Sequence, residues 1–326
     1  MTKSLTDIQN IIQSELLRFI DINNSKSSIY QPISYLLQAG GKRIRPAMSL
    51  MAANLFTDDL SGAIRPALAI EVFHNFTLMH DDIMDNAPLR RGLKTVHKKW
   101  NTNVGILSGD AMLIQSYQLL ADTQPELIPQ LLDVFSVTGL DVCEGQQMDM
   151  EFETRSDVGV DEYLFMIRLK TSVLLAGAMQ IGAIIGGADN DSQKLVYEFG
   201  ENLGMAFQLR DDYLDAFGDP IKTGKQPGGD ILADKKTLLL IRALEKSTAS
   251  TKAILGKYIG NSNCNSKEKV NSVLEVFEAL GLREEMNELI IQYDGKAIKS
   301  LAAIEVTTER KKPLLDLATA LLTRES

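Results

Sequence analysis

Two five-residue segments, Asp81-Asp82-Ile83-Met84-Asp85 and Asp211-Asp212-Tyr213-Leu214-Asp215, repeat one D-D-x-x-D spacing, and each closes a long apolar run of helical character. On a helix, positions i and i+4 share a face and i+1 lies about 100° round, so each segment aims two or three carboxylates one way. Like charges at that spacing repel, and carboxylates at a helix C-terminus also oppose the macrodipole. Hard oxygen donors gathered in this way fit Mg²⁺, which binds through one or two carboxylates and shares itself with substrate phosphates. One copy alone would read as a solvated helix end. Two matched copies point to a metal-dependent site carried on long helices, where a broken local rule marks function.

The 326 residues can bury a large core, and no linker divides them, so a single domain over residues 1–326 is expected. Against 34 basic residues stand 43 acidic ones, a net charge of −9, which argues against a nucleic-acid surface and gives no general attraction to anionic membranes. Cations that meet an anionic ligand must therefore be placed locally. Cys143 and Cys264 make neither a disulfide framework nor a thiolate metal site, and a reducing, cytoplasmic setting is expected. The N-terminal residues have no continuous apolar core of the secretory kind. The longest uncharged run, Thr171 to Ala188, is short and Gly-rich for a membrane span. It is expected to be a buried helix in which Gly177, Gly182 and Gly186 permit close packing, with no transmembrane segment in the chain.

Taken in order, residues 5–20 carry apolar residues at helical spacing, and 33–38 resume a helix that stops at Gly40-Gly41. Lys42, Arg43 and Arg45 follow, with Pro46 suited to the first turn of the next helix. Glycines, cations and a helix start together suit an anion. The run from Ala63 to Met84 leads into the first aspartate segment, and Arg90-Arg91-Gly92 returns two arginines beside it; Arg offers phosphate a bidentate fork. Residues 104–122, 126–152, 160–185 and 191–217 again read as helix, and no hairpin signal is convincing, so the fold class expected is all-α. Lys170-Thr171 interrupts an apolar helix, and Gln208 sits one turn before the second aspartates. Residues 217–237 form a loop dense in Gly, Pro and charge that includes Lys225 and Lys235. Beyond Leu238 the chain reads as shorter amphipathic helices without a chemical motif. A nucleotide-type phosphate loop is absent, and three histidines cannot supply two Glu-x-x-His pairs for a di-iron bundle.

The segments GGKRIRP (40–46), HDDIMD (80–85), RRG (90–92), KT (170–171), QLRDDYLD (208–215) and GKQPGGDILADKKT (224–237) together resemble the trans-isoprenyl diphosphate synthases of the polyprenyl synthetase family, in order and in spacing. The resemblance implies an all-α helical bundle of the isoprenoid synthase type with a central apolar cavity, and a homodimer. It implies condensation of isopentenyl diphosphate with an allylic diphosphate, served by three Mg²⁺ ions per active site. It implies that Asp81, Asp85 and Asp211 hold metal most directly, supported by Asp82, Asp212 and Asp215. Arg90, Lys170, Gln208, Lys225 and Lys235 are expected on the allylic diphosphate, with Thr171 beside its reacting end. Lys42, Arg45, His74, Arg91 and the backbone of Gly41 are expected on isopentenyl diphosphate. For His74, the residues alone favour a satisfied core histidine; the resemblance moves it to substrate binding.

Phe76 lies five positions before Asp81, roughly 7.5 Å along a helix axis, with Phe73 one turn further. The resemblance makes Phe76, the smaller Thr77 and the uninterrupted D-D-x-x-D a pattern of enzymes that stop near geranylgeranyl diphosphate. Farnesyl diphosphate is the competing product, since Phe73 could shorten the tunnel. A terpene cyclase and a non-catalytic partner subunit are the rival functions.

Overall fold

The helical periodicity of the chain is realised almost throughout. A computed structural model describes residues 3–24, 27–219, 227–261 and 263–322. In order come α1 (Leu5–Asn24), α2 (Tyr30–Gln38), α3 (Ile44–Phe56), α4 (Ser61–Met84), the strands β1 (Leu89–Arg90) and β2 (Leu93–Lys94), α5 (Val96–Lys99), α6 (Thr102–Leu120), α7 (Ile128–Thr154), α8 (Val160–Ile167), α9 (Val173–Ile185) and α10 (Asn190–Phe217). They are followed by α11 (Gly229–Leu232), α12 (Leu238–Lys246), α13 (Ala249–Tyr258), α14 (Ser266–Ala279), α15 (Leu282–Ala303) and α16 (Thr308–Leu322). The all-α expectation holds, with one small correction. β1 and β2 pair antiparallel about Arg91-Gly92, whose φ values of 53° and 77° make a two-residue turn with both residues left-handed. The usual Asn-Gly or Asp-Gly signal is missing because Arg91 occupies the first position. Its guanidinium donates to the Gly40 carbonyl and so steadies a conformation that its own side chain disfavours.

The chain divides into two compact units. The first comprises Met1–Val137, Gly177–Tyr197 and Ile304–Leu314. At its heart α4 packs chiefly against α6 and α3, with α1 and α2 beside it. Residues 66–73 of α4 are buried on every side, as a helix apolar all round requires. Leu68, Ile70, Val72 and Phe73 each contribute about 1.5–3 kcal/mol by leaving water. Two glycines four residues apart on α6 bring it against the end of α4 that carries the aspartates. A Cβ on Gly105 would fall 2.8 Å from Ile83 Cδ1, and one on Gly109 would fall 2.2 Å from His80 Nε2. Gly182 of α9 and Gly186 just beyond its end act likewise against α3, where a Cβ would meet the Ser49 carbonyl at 1.9 Å and the Ala53 carbonyl at 2.8 Å. The expected close packing of that run is therefore present at these two positions.

The second unit comprises Thr138–Ala176, Glu198–Ala303 and Leu315–Ser326. Its core gathers Phe152, Tyr163, Met166, Leu209, Leu238, Ile241, Val273, Phe277 and Met286. A π-helical turn, Arg168–Ser172, joins α8 to α9 and contains Lys170-Thr171. Such turns widen a helix by one residue and are frequent at functional sites. Glycines on two other helices close on it: a Cβ on Gly145 of α7 would lie 2.3 Å from the Lys170 nitrogen, and one on Gly204 of α10 would lie 2.7 Å from Ser172 Cα. Among the described residues only Val160–Ile185 is long and apolar enough to cross a membrane, and 67% of its most apolar window is buried inside the protein.

Candidate active site

In the first unit, α4 ends at Met84 and Asp85 is its C-cap, so the three aspartates occupy the last turn as the spacing predicts. They do not share one environment. Asp82 is 2% exposed and accepts from Arg90 Nε at 2.7 Å, whereas Asp81 is half-buried and Asp85 exposed. Burial raises the Asp82 pKa, a push that the neighbouring Arg90 guanidinium opposes. Arg90, assigned from sequence to the allylic diphosphate, thus spends at least its Nε on the protein itself.

The GGKRIRP segment is bent by Gly40 (φ 85°), Gly41 (φ 133°) and a left-handed Arg43 that precedes α3. Its cations separate by role. Arg43 turns inward, 8% exposed, to Glu71 and the Leu37 carbonyl, and Asn75 Nδ2 donates to Glu71 Oε1 at 2.9 Å. Arg45 Nη1 lies 3.2 Å from His74 Nε2, and Arg91 covers Gly41, where a Cβ would fall 2.8 Å from its Nη1. Arg45 Nε is a buried donor with no hydrogen-bond partner among the described residues, a group suited to an anion. Lys42 is exposed, and its carbonyl accepts from Gln9 Nε2 at 3.3 Å. Arg45, His74, Arg91 and Gly41 are therefore brought together as expected. Arg43, counted by its spacing among the cations suited to an anion, is instead committed to Glu71, and a carboxylate inside an apolar helix was the signal that Glu71 needs a buried cation.

Burial, and then the fields of Arg45, Arg91, Arg90 and Arg43, hold His74 well below the usual histidine pKa of 6.5. It is a neutral imidazole near pH 7. A depressed folded pKa means that the unfolded chain binds the proton more readily, so stability falls as pH drops below 6.5. His74→Gln, neutral throughout, is expected to lose about 1 kcal/mol less than the parent between about pH 7.5 and pH 5.5. Urea unfolding of the two proteins at both pH values measures this, and equal losses would exclude it.

In the second unit, α10 carries the other aspartates in its last two turns. Asp212, 5% exposed, accepts from the Tyr163 hydroxyl and from Gln208 Nε2 at 3.0 Å, and burial pushes its pKa up to about 7. Asp211 and Asp215 are half-buried. Asp215 caps α11, its Oδ2 accepting from the Asp230 N–H at 2.9 Å and its carbonyl from Gly228 at 2.7 Å. Thr171 Oγ1 donates to Gln208 Oε1 at 3.2 Å, which links the π turn to this motif, and Lys170 Nζ donates to Asp149 at 2.5 Å. Lys235 is exposed, and Lys225 lies outside the described residues. Tyr163 and Asp149 had no distinguishing signal, one lying in an apolar helix and the other in a mixed acidic stretch.

Each motif thus buries its second aspartate on a protein partner and leaves its first and fifth, i and i+4 on one face, nearer solvent. Among the described residues no three His, Cys, Asp or Glu side chains form a metal cage. The less buried carboxylates of each motif fit hard cations that complete their shells with water and phosphate oxygens, and Asp81 and Asp85 in the one motif, Asp211 and Asp215 in the other, are the groups that would hold them.

The residues expected to set chain length lie in a row of aromatic rings. Tyr117, Phe135, Phe73, Phe76 and His80 follow one another at centroid distances of 5.1, 5.1, 5.5 and 4.8 Å. Thr77 Oγ1 donates to the His74 carbonyl at 2.8 Å, leaving its methyl as the free end. A separate cavity of about 580 Å³ opens near the start of α4, between Asp59, Ser61, Asp122 and Gly186. Its carboxylates are engaged by the Ser61 N–H and by Arg65, and none of the residues above line it.

The model of a family described as polyprenyl synthetase matches residues 26–277. A geranylgeranyl diphosphate synthase of Methanosarcina mazei is 37% identical over 299 residues, which cover 91% of this chain and 90% of the relative. A crystal structure of a geranylgeranyl pyrophosphate synthase superposes on all of this chain with a TM-score of 0.92 and 45% identity, itself covered completely. Another, from Corynebacterium glutamicum and solved with isoprenyl diphosphate and magnesium, gives a TM-score of 0.88 at 27% identity, covering 99% of this chain and 100% of that one. With the motifs seated on α4 and α10, these matches place the chain in the polyprenyl synthetase family, as a prenyltransferase enzyme of the all-α isoprenoid synthase fold.

Proposed function

We propose that the protein joins isopentenyl diphosphate head-to-tail to allylic diphosphates in the presence of Mg²⁺, with geranylgeranyl diphosphate as its product. The observation that carries this reading is that Arg45 and Arg91 gather beside His74 and Gly41, a cluster of cations separate in chemistry from the two carboxylate motifs and suited to an anion. Two diphosphates require two such sites, one built of cations alone and one of metal-binding carboxylates. The product assignment is supported by the name of the Methanosarcina mazei relative and by Phe76 standing one turn beyond the aspartates.

In this reading Lys42, Arg45, Arg91 and the Gly41 backbone hold isopentenyl diphosphate, and neutral His74 accepts from Arg45 so that the guanidinium keeps its aim. Arg90, Lys170, Gln208, Lys225 and Lys235 act on the allylic diphosphate. Bound Mg²⁺ would supply charge stabilisation for the departing diphosphate. Lysine and arginine donors add to that stabilisation as the allylic C–O bond breaks. The Thr171 and Gln208 oxygens face the allylic carbon as positive charge grows there. The double bond of isopentenyl diphosphate then forms the new C–C bond, and the adjacent carbon gives up a proton to the released diphosphate. No side-chain base is required. A homodimer belongs to the same reading, and it is supported by Leu107 and Ile114, two turns apart on one face of α6 and 57% and 61% exposed.

Incubation of the purified chain with Mg²⁺, isopentenyl diphosphate and dimethylallyl, geranyl or farnesyl diphosphate, followed by mass analysis, tests the reading. Linear elongated diphosphates support it. Cyclic hydrocarbons would favour a terpene cyclase, and absence of turnover a partner subunit. Phe76→Ala removes the phenyl ring nearest the first aspartate motif and is expected to shift the main product by at least one isoprene unit. An unchanged product distribution would exclude Phe76 as the floor and leave Phe73, packed between Phe76 and Phe135, as the next barrier.

A further inference from the structure

The sequence beyond Leu238 carries no motif, yet Lys269 on α14 is only 3% exposed. A lysine is rarely buried so completely without a partner. Its Nζ donates to Asp234 Oδ1 at 2.6 Å and reaches the Leu232 carbonyl at 3.5 Å. Asp234 has a left-handed backbone (φ 53°), a conformation that a non-glycine residue keeps only where its surroundings hold it. The next residue of the same helix, Val270, packs on Gly228 (φ 89°) so closely that a Cβ there would fall 2.6 Å from Val270 Cγ1. Two consecutive residues of α14 thus grip both ends of the segment from Gly228 to Asp234. Gly228 and Asp230 in that segment donate their N–H groups to Asp215. The Lys235 N–H closes the turn on the Asp230 carbonyl at 3.0 Å, which ties Lys235 through Asp230 to Asp215 of the second motif.

We propose that Lys269 is a positioning residue for the allylic-diphosphate half of the reaction: its buried ion pair with Asp234 holds the turn that presents Lys235 beside the second aspartate motif. This rests on the reading above that Lys235 binds the diphosphate. A cation already fixed in place loses little conformational freedom when the anion arrives, so the benefit appears in substrate binding rather than only in folding. Asp234, with 28% of its side chain exposed, can hydrate when its partner is removed, which leaves the turn free to move.

The test is a double-mutant cycle on the full chain, with Mg²⁺, isopentenyl diphosphate and geranyl diphosphate as reactants. Lys269→Met is expected to raise KM for geranyl diphosphate about tenfold, within what one charge-assisted hydrogen bond supplies, while KM for isopentenyl diphosphate stays put. Lys269→Arg should recover most of the loss. Lys235→Ala should raise the same KM, and adding Lys269→Met to it should cost less than about twofold more, because both act through one contact. A lysine that only stabilises the fold would lower the urea midpoint and leave the geranyl diphosphate KM at its parent value; that result, or effects that multiply in the double variant, overturns the proposal. Should Lys269→Met not fold, the charge-free pair Asp234→Asn with Lys269→Met goes through the same cycle. A silent Lys235→Ala in an enzyme that turns over removes the Lys235 assignment and this inference together. No turnover by the parent chain would instead sink the proposed function.

Discussion

Asp81→Ala is expected to lower kcat by about a thousandfold, the upper end of what removing one preorganised stabiliser of developing charge costs. Its stability should fall by less than that of Asp82→Ala. Asp81 and Asp85 are like charges at i and i+4 on the less buried side of the last turn of α4, and removing one relieves roughly 0.2–0.5 kcal/mol of repulsion. Asp82 makes the contrast. Its carboxylate is buried on Arg90, so Asp82→Ala strands a guanidinium and is expected to cost stability as well as activity. Measuring kcat and urea midpoints for both variants separates a group kept for chemistry from one kept for position. A kcat for Asp81→Ala within tenfold of the parent would remove it from the metal-binding set.

Gly145→Val is expected to cost about 3 kcal/mol of folding stability and to lower kcat further than the unfolded fraction explains. By helix propensity alone, replacing an interior glycine with a better helix former gains up to about 1 kcal/mol. Packing decides otherwise. The new Cβ would fall 2.3 Å from the Lys170 nitrogen and 2.8 Å from the Leu169 carbonyl carbon, backbone atoms that cannot swing aside. Overpacking of this kind costs about 1–3 kcal/mol or more. What it displaces is the π turn that presents Lys170 to Asp149 and Thr171 to Gln208. Gly204 closes the other side against Ser172, so the turn has no free direction in which to yield. Urea unfolding, with kcat measured where the variant is fully folded, tests both halves. A folded variant with the parent's kcat would uncouple the π turn from the reaction.

Much of the fold was legible because helices are written in local periodicity. The ends of α2 and α3 at Gly40-Gly41 and Pro46, the long α4 and α10, and the glycines of α9 all follow from spacing and backbone preference. The π turn was visible only as a lysine and a threonine in an apolar run, since a widened turn leaves no periodic mark. The β1–β2 hairpin escaped because its turn relies on a distant contact, Arg91 to Gly40, rather than on an Asn or Asp in the turn.

The aspartate motif on α4 and its copy on α10 were determined by sequence alone, as were the inventory of cations and the helical class, because residue type and short-range spacing suffice for them. Which members of those sets are structural was decided by partners far along the chain. Arg90 claims Asp82 across 8 residues, Glu71 claims Arg43 across 28, and Tyr163 claims Asp212 across 49. A buried charge takes the orientation of whatever group satisfies it, and that group comes from packing, not from spacing. Tertiary structure therefore buried the second aspartate of each D-D-x-x-D on a protein partner and kept the first and fifth nearer to solvent.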